Sequence, residues 1–172
     1  MINIVQRLKG RRVPDAVKAV LTSSDRVFDF LKVAEDRFLV VTMQALTDVE
    51  SAQVKSSFGW DEVSHARGDS EAGTLRIVFH QGEDLVLIPI EAPSHNFMDI
   101  IREALSESQV FTTPLELPSG QRVSAQILRD DNRNLRLHPP ISSFQNRDDQ
   151  QYLRSVVREW EQKLGIVLDR RD

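Results

Sequence analysis

The run Asp130-Asp131-Asn132-Arg133-Asn134 is the part of this sequence that comes nearest to a metal-binding motif. Its first, third and fifth residues match the first three oxygen-ligand positions of a calcium-binding loop. Such a loop then needs a glycine for its sharp turn and a bidentate glutamate at its end, and the sequence has Leu135 and Ile141 there. We therefore interpret the run as a polar turn between two strands, and we predict no metal and no other cofactor.

The four histidines do not form a recognisable metal site either. They are His65, His80, His95 and His138, and each belongs to a different predicted element. None has a second histidine at the spacing of a local zinc motif, so we interpret them as surface residues. The chain has no cysteine, which excludes disulfides, thiolate ligands and cysteine nucleophiles and favours a cytoplasmic location.

No catalytic motif is visible. Ser94 and His95 are adjacent, but the sequence lacks a nucleophile elbow, and helix capping by Ser94 explains this pair more simply. The seven glycines form no phosphate-binding loop. The acidic pairs Asp61-Glu62 and Glu83-Asp84 are predicted to lie in a strand and in a turn, where neighbouring carboxylates do not converge. We expect a protein that is not an enzyme; a hydrolase site assembled from distant residues is the least favoured hypothesis.

The net charge of -4 is unevenly distributed along the 172 residues. Residues 13–108 have eight basic and 17 acidic side chains, whereas residues 109–172 have ten and nine. An acidic central region repels phosphate backbones, so we predict no binding of nucleic acid.

The basic charge is concentrated in residues 1–12, which contain no acidic residue. Apolar residues alternate there with four cations, Arg7, Lys9, Arg11 and Arg12. Such a segment can lie on an anionic membrane surface, where each cation contributes about 1 kcal/mol. A solvated leader explains the same pattern, so weak membrane contact through these four residues stays an alternative.

Short strands dominate the elements that would position these side chains. After a short helix near Pro14, apolar periodicity changes to two, and closely spaced segments predict an antiparallel meander. These segments are Val27–Val33, Arg37–Met43, Ala45–Glu50, Trp60–Ala66, Thr74–His80 and Leu85–Ile90. An amphipathic helix capped by Ser94 follows, with apolar residues at helical spacing from Phe97 to Leu105.

The last third of the chain predicts a β-hairpin followed by a helix. Leu153, Val156, Val157, Trp160 and Leu164 recur at helical spacing, and Gly165 ends the pattern. The helix should begin at Asp148 or Asp149, and Trp160 could form part of an interaction surface or of a contact between two copies. The predicted organisation is a basic leader with a short helix at residues 1–24, a domain at 25–108, and a small hairpin-and-helix lobe at 109–172.

Several stretches of the central domain resemble a known fold family. They are Asp25-Arg26-Val27-Phe28, Arg37–Thr42 followed by Ala45-Leu46, Trp60-Asp61-Glu62-Val63, and Gly73–Ile77. These stretches, with Asp148-Asp149 and Leu164-Gly165 in the tail, are similar to an uncharacterised actinobacterial family with a pleckstrin-homology-like (PH-like) domain. The resemblance implies an α+β fold with an antiparallel β-barrel closed by a C-terminal helix, and it implies no activity.

Many PH-like domains bind phosphoinositides through cations near their first two strands. Here Lys32 and Arg37 flank the anions Glu35 and Asp36, which makes a phosphoinositide an unlikely ligand. A packed core without reactive side chains favours a non-enzymatic interaction or scaffolding module. We expect a protein partner or self-association, with a strand edge beside the closing helix as the contact. Peripheral membrane association is the alternative.

Overall fold

The computed structural model describes residues 11–21, 26–130 and 132–169. The chain separates between Ser106 and Glu107 into two compact units. The helices are α1 (Asp15–Val20), α2 (His95–Ser108) and α3 (Arg147–Leu164), and a 3₁₀ turn spans Ile141–Ser143. The strands are β1 (Val27–Ala34), β2 (Arg37–Thr42), β3 (Ala45–Glu50), β4 (Gln53–Gly59), β5 (Val63–Asp69), β6 (Thr74–Phe79), β7 (Leu85–Leu87), β8 (Gln109–Glu116), β9 (Arg122–Arg129), β10 (Leu135–His138) and β11 (Leu168–Asp169).

The strands of the first unit form two antiparallel sheets, ordered β1-β2-β3-β4 and β5-β6-β7. The predicted α+β class and the antiparallel meander are therefore confirmed. The predicted closed barrel is not confirmed, because no ladder joins the two sheets among the described strands. A single backbone bond, from the Ile90 N–H to the Lys32 carbonyl at 3.2 Å, connects the segment after β7 with β1.

One hydrophobic core unites both sheets of this unit with α2. In β6 the alternation predicted from the sequence is observed, since Leu75 and Ile77 are fully buried while Arg76 is exposed. From α2, Phe97 and Ile101 enter the same core. The Ser94 hydroxyl accepts a hydrogen bond from the Phe97 N–H at 3.0 Å, which confirms the predicted N-cap.

The sheet β1–β4 is covered on its second face as well. Val17 of α1 packs there against Phe30, Phe38 and Val40, and these residues are separate from the core shared with α2. Consecutive residues of β2 from Phe38 to Val41 are consequently all buried. Burial of both faces explains why this strand is apolar at successive positions and lacks the period-two alternation.

The sequence prediction missed β4 and misplaced the start of β5. Every residue of β4 is exposed or partly exposed, β4 is one of the two edge strands of its sheet, and its polar sequence resembles a loop. The predicted strand at Trp60–Ala66 begins instead at Val63, since the Glu62 N–H donates to the Gly59 carbonyl at 3.0 Å and closes a turn.

The second unit consists of one sheet, ordered β11-β10-β9-β8, with α3 packed on it. The predicted hairpin and helix are present. The helix begins at Arg147 rather than at Asp148 or Asp149, and Asn146 caps it, because its side chain accepts from the Asp148 N–H. β8 continues through Pro114 because it is an edge strand, where a missing N–H is tolerated. The short β11, which pairs in parallel with β10, was not predicted.

The first unit should depend on Ile77 for much of its stability. We expect Ile77→Ala to lower the free energy of unfolding by about 2–5 kcal/mol, because the truncated side chain leaves a cavity in a fully buried position. Val86→Ala is the matched control: Val86 is exposed on the neighbouring strand, and a change within about 0.5 kcal/mol is expected. Urea denaturation measures both, and equal losses would contradict the core assignment.

Candidate interaction surface

The structure separates the four basic N-terminal residues. Arg7 and Lys9 lie outside the described residues. The Arg11 guanidinium lies 3.4 Å from an Asp29 oxygen and 4.3 Å from the centre of the Phe30 ring. Arg12 is 82% exposed, and its nearest carboxylate, Asp15, is equally exposed and 3.7 Å away. Arg11 therefore has a structural contact, whereas Arg12 is solvated.

Asp29 is the buried end of that contact. Asp29 is only 2% exposed. One carboxylate oxygen accepts the Phe30 N–H at 2.8 Å, and the other accepts the Asn96 side-chain amide of α2 at 3.0 Å. Burying a carboxylate requires partners of this kind. The side chain thus connects β1, α2 and the segment before α1.

Two more buried carboxylates bind arginines. Asp48 accepts two hydrogen bonds from Arg37, at 3.0 and 2.7 Å, and this contact raises the pKa of the Arg37 guanidinium. The Nε and Nη2 groups on one edge of the guanidinium both donate to Asp48, so Arg37 is less suited to clamp an anionic ligand. Asp130 binds the Asn134 N–H at 2.7 Å and lies 3.0 Å from Arg136.

These contacts agree with the predicted turn between β9 and β10. Within the described ranges, no group of three or more histidine, aspartate or glutamate residues is arranged to hold a metal ion. The histidines do not come together as a site either. His65 has the Ser64 hydroxyl 3.2 Å from its Nδ1 atom, and His138 is half-buried in β10.

Both tryptophans pack inside their own units. Trp60 is buried, and its ring N–H donates to the Thr42 carbonyl at 3.3 Å. Trp160, the residue considered for an interaction surface, is partly buried and makes an edge-to-face contact with Phe111, with ring centres 5.2 Å apart. Its apolar stripe on α3 packs against the sheet of the second unit.

An apolar row is exposed where β7 ends. Exposure alternates along this segment: Val86, Ile88 and Ile90 are 49%, 72% and 61% exposed, while Leu87 between the first two is buried. Leu87 contributes to the core, so the exposed side chains point away from it. β7 is also the edge strand of its sheet among the described residues. We call Val86, Ile88 and Ile90 the aliphatic row.

The sequence predicts a strand at Leu85–Ile90 but does not distinguish the aliphatic row as a surface, because an apolar residue beside a strand is usually part of a core. Residues 86–90 are apolar throughout, so no local signal separates the exposed side chains from buried Leu87.

No described helix combines the length and apolar character needed to cross a membrane. Comparison of the chain with protein-family models, curated proteins and solved structures yields no match.

The two adjacent arginines should differ in their contribution to stability. We expect Arg11→Met to lower the free energy of unfolding by about 1–2 kcal/mol, because buried Asp29 loses a charged partner. Arg12→Met should change it by less than about 0.5 kcal/mol, since an exposed pair contributes little. Equal effects of the two substitutions in chemical denaturation would show that the Asp29 contact does not stabilise the fold.

His138 should make stability depend on pH. Burial lowers its pKa below the usual value of about 6.5. Because the folded state disfavours the charged ring, this contribution to stability is present above pH 6.5 and is lost as the pH falls through the folded pKa. Urea denaturation at several pH values between 7.5 and 5 should show a smaller loss of stability for His138→Gln than for the wild type. Parallel pH profiles would contradict this assignment.

Proposed function

We propose that this protein is a non-enzymatic interaction module that binds a protein partner through the aliphatic row of Val86, Ile88 and Ile90. The observation that carries the proposal is the exposure of three branched aliphatic side chains at alternate positions, one in the edge strand β7 and two in the segment that follows it. Single exposed apolar residues are common on protein surfaces, but contiguous ones indicate an interaction site.

Burial of this row would supply useful binding energy. Full burial of one valine or isoleucine side chain is worth about 1.5–3 kcal/mol relative to exposure. Because the three side chains are 49–72% exposed, their burial supplies part of the affinity, and further contacts of the partner offset the entropic cost of association. The edge position of β7 adds main-chain groups that an extended partner segment can use.

The PH-like fold is part of the proposal. Four antiparallel strands are followed by three more and then by α2, whose residues Phe97 and Ile101 reach into the core between them. This order supports a PH-like fold, and the bacterial family that the sequence resembles stays part of the proposal. A cytoplasmic location, which the cysteine-free composition favours, completes the proposal.

The membrane-surface alternative has less support. Among the described basic residues of the N-terminal segment, only Arg12 is fully solvated, since the Arg11 guanidinium lies beside Asp29 and on the Phe30 ring. A phosphoinositide clamp at β1 and β2 is also less favoured, because Asp48 occupies the Arg37 guanidinium.

The aliphatic row should be necessary for partner binding. In quantitative affinity capture from extracts of cells that make the protein, Ile88→Asp should lose the partners retained by the wild type, since the new carboxylate would have to be desolvated in the contact. Val167→Asp is the matched control, because Val167 is 83% exposed in the second unit. Recovery of the same proteins with all three chains, or of none with the wild type, would contradict the proposal.

A further inference from the structure

The outer face of the sheet β5-β6-β7 has a row of three neighbouring residues, one from each strand. Arg67 of β5 lies opposite Arg76 of β6, which lies opposite Val86 of β7. Directly opposed residues in antiparallel strands point to the same side of the sheet. Their neighbours Ala66, Ile77 and Leu87 pack into the core, so this row points outward, and all three of its members are exposed.

Two arginines opposite each other weaken a strand pair, because like charges repel. Among the described residues, one of these two arginines has a carboxylate partner. Arg76 has an Asp84 oxygen 3.3 Å from its Nη1 atom, whereas the described residues provide no carboxylate in ion-pair contact with Arg67. Within the part of the chain that the structure describes, Arg67 is therefore an exposed cation without a carboxylate partner, two strands from the start of the aliphatic row.

We infer that this outer face binds an extended peptide segment of the partner that has a carboxylate beside branched aliphatic side chains. This inference rests on the proposed function and specifies the chemistry of its partner. The aliphatic side chains cover Val86 and Ile88, and the carboxylate reaches Arg67. A planar guanidinium can donate two parallel hydrogen bonds to one carboxylate, which gives direction as well as attraction.

The Arg76–Asp84 pair shows that this face already accommodates a carboxylate from the chain itself. The same surroundings disfavour a polyanion. Glu83 and Asp84 precede β7, and Asp69 and Glu71 lie in and after the end of β5. These anions would repel a phosphate backbone along its length, and they repel a single carboxylate held by Arg67 less, because it has fewer charges near them. The ligand is therefore an acidic–aliphatic peptide rather than a nucleic acid.

The experiment uses a display library of random twelve-residue peptides selected on the full-length chain. We expect the selected peptides to be enriched in aspartate or glutamate next to valine, isoleucine or leucine. By fluorescence anisotropy, Arg67→Gln should weaken their binding tenfold or more, and added salt should weaken binding to the wild type. Arg122→Gln, which removes an 86% exposed cation from β9 of the second unit, should leave affinity unchanged.

A folding defect can be distinguished from a loss of recognition. Because Arg67→Gln removes a like-charge pair, its free energy of unfolding should equal or exceed that of the wild type. Weaker peptide binding at unchanged or higher stability supports the inference, and reduced stability contradicts the repulsion on which it is based.

The remaining outcomes separate the inference from the proposed function. Peptides that require Ile88 but bind Arg67→Gln as well as the wild type would overturn the acidic-peptide inference and leave the interaction module standing. Selection of basic peptides, or of none, would overturn it too. Peptides or cellular partners that bind Ile88→Asp as tightly as the wild type would overturn both.

Discussion

The burial of both faces of β2 is the constraint on which the first unit depends. Leu39 and Val41 face the core shared with β5–β7 and α2, whereas Phe38 and Val40 face α1. Since side chains alternate along a strand, each face needs its own cover, and a register slip of one residue would exchange the two sets. Asp29 in the neighbouring β1 connects the elements that cover the two faces, because its carboxylate binds Asn96 of α2 and Arg11 before α1.

The basic side chains differ in whether a buried carboxylate pairs with them. Those that are paired stabilise the fold, and those that are not can bind a ligand. Arg11, Arg37 and Arg136 each contact a buried aspartate, so their charges are used within the fold. Arg67 has no such partner among the described residues and shares an exposed face with Arg76 and Val86. The central region is acidic overall, but the exposed face that carries Arg67 and Arg76 is a local exception. A peptide carboxylate can recognise the positive charge there.

Local patterns predicted much of the architecture. The alternation of Leu75 and Ile77 with Arg76 identified β6, and Ser94 identified the start of α2. β4 escaped prediction because an edge strand needs few apolar residues, so the sequence of Gln53–Gly59 lacks the usual pattern. The two residues of β11 pair with a strand more than 30 positions earlier, and no local signal encodes a contact of that kind.

Periodicity and residue type over short distances predicted the α+β class, the antiparallel meander and the polar character of the 130–134 turn. The sequence also presented the four N-terminal cations as one basic segment. The folded chain separates two of them, because Arg11 lies against buried Asp29 while Arg12 stays in solvent. Likewise, only strand register brought Arg67, Arg76 and Val86 into one row, since residues distant in the chain become neighbours through pairing and not through any property of their local sequence.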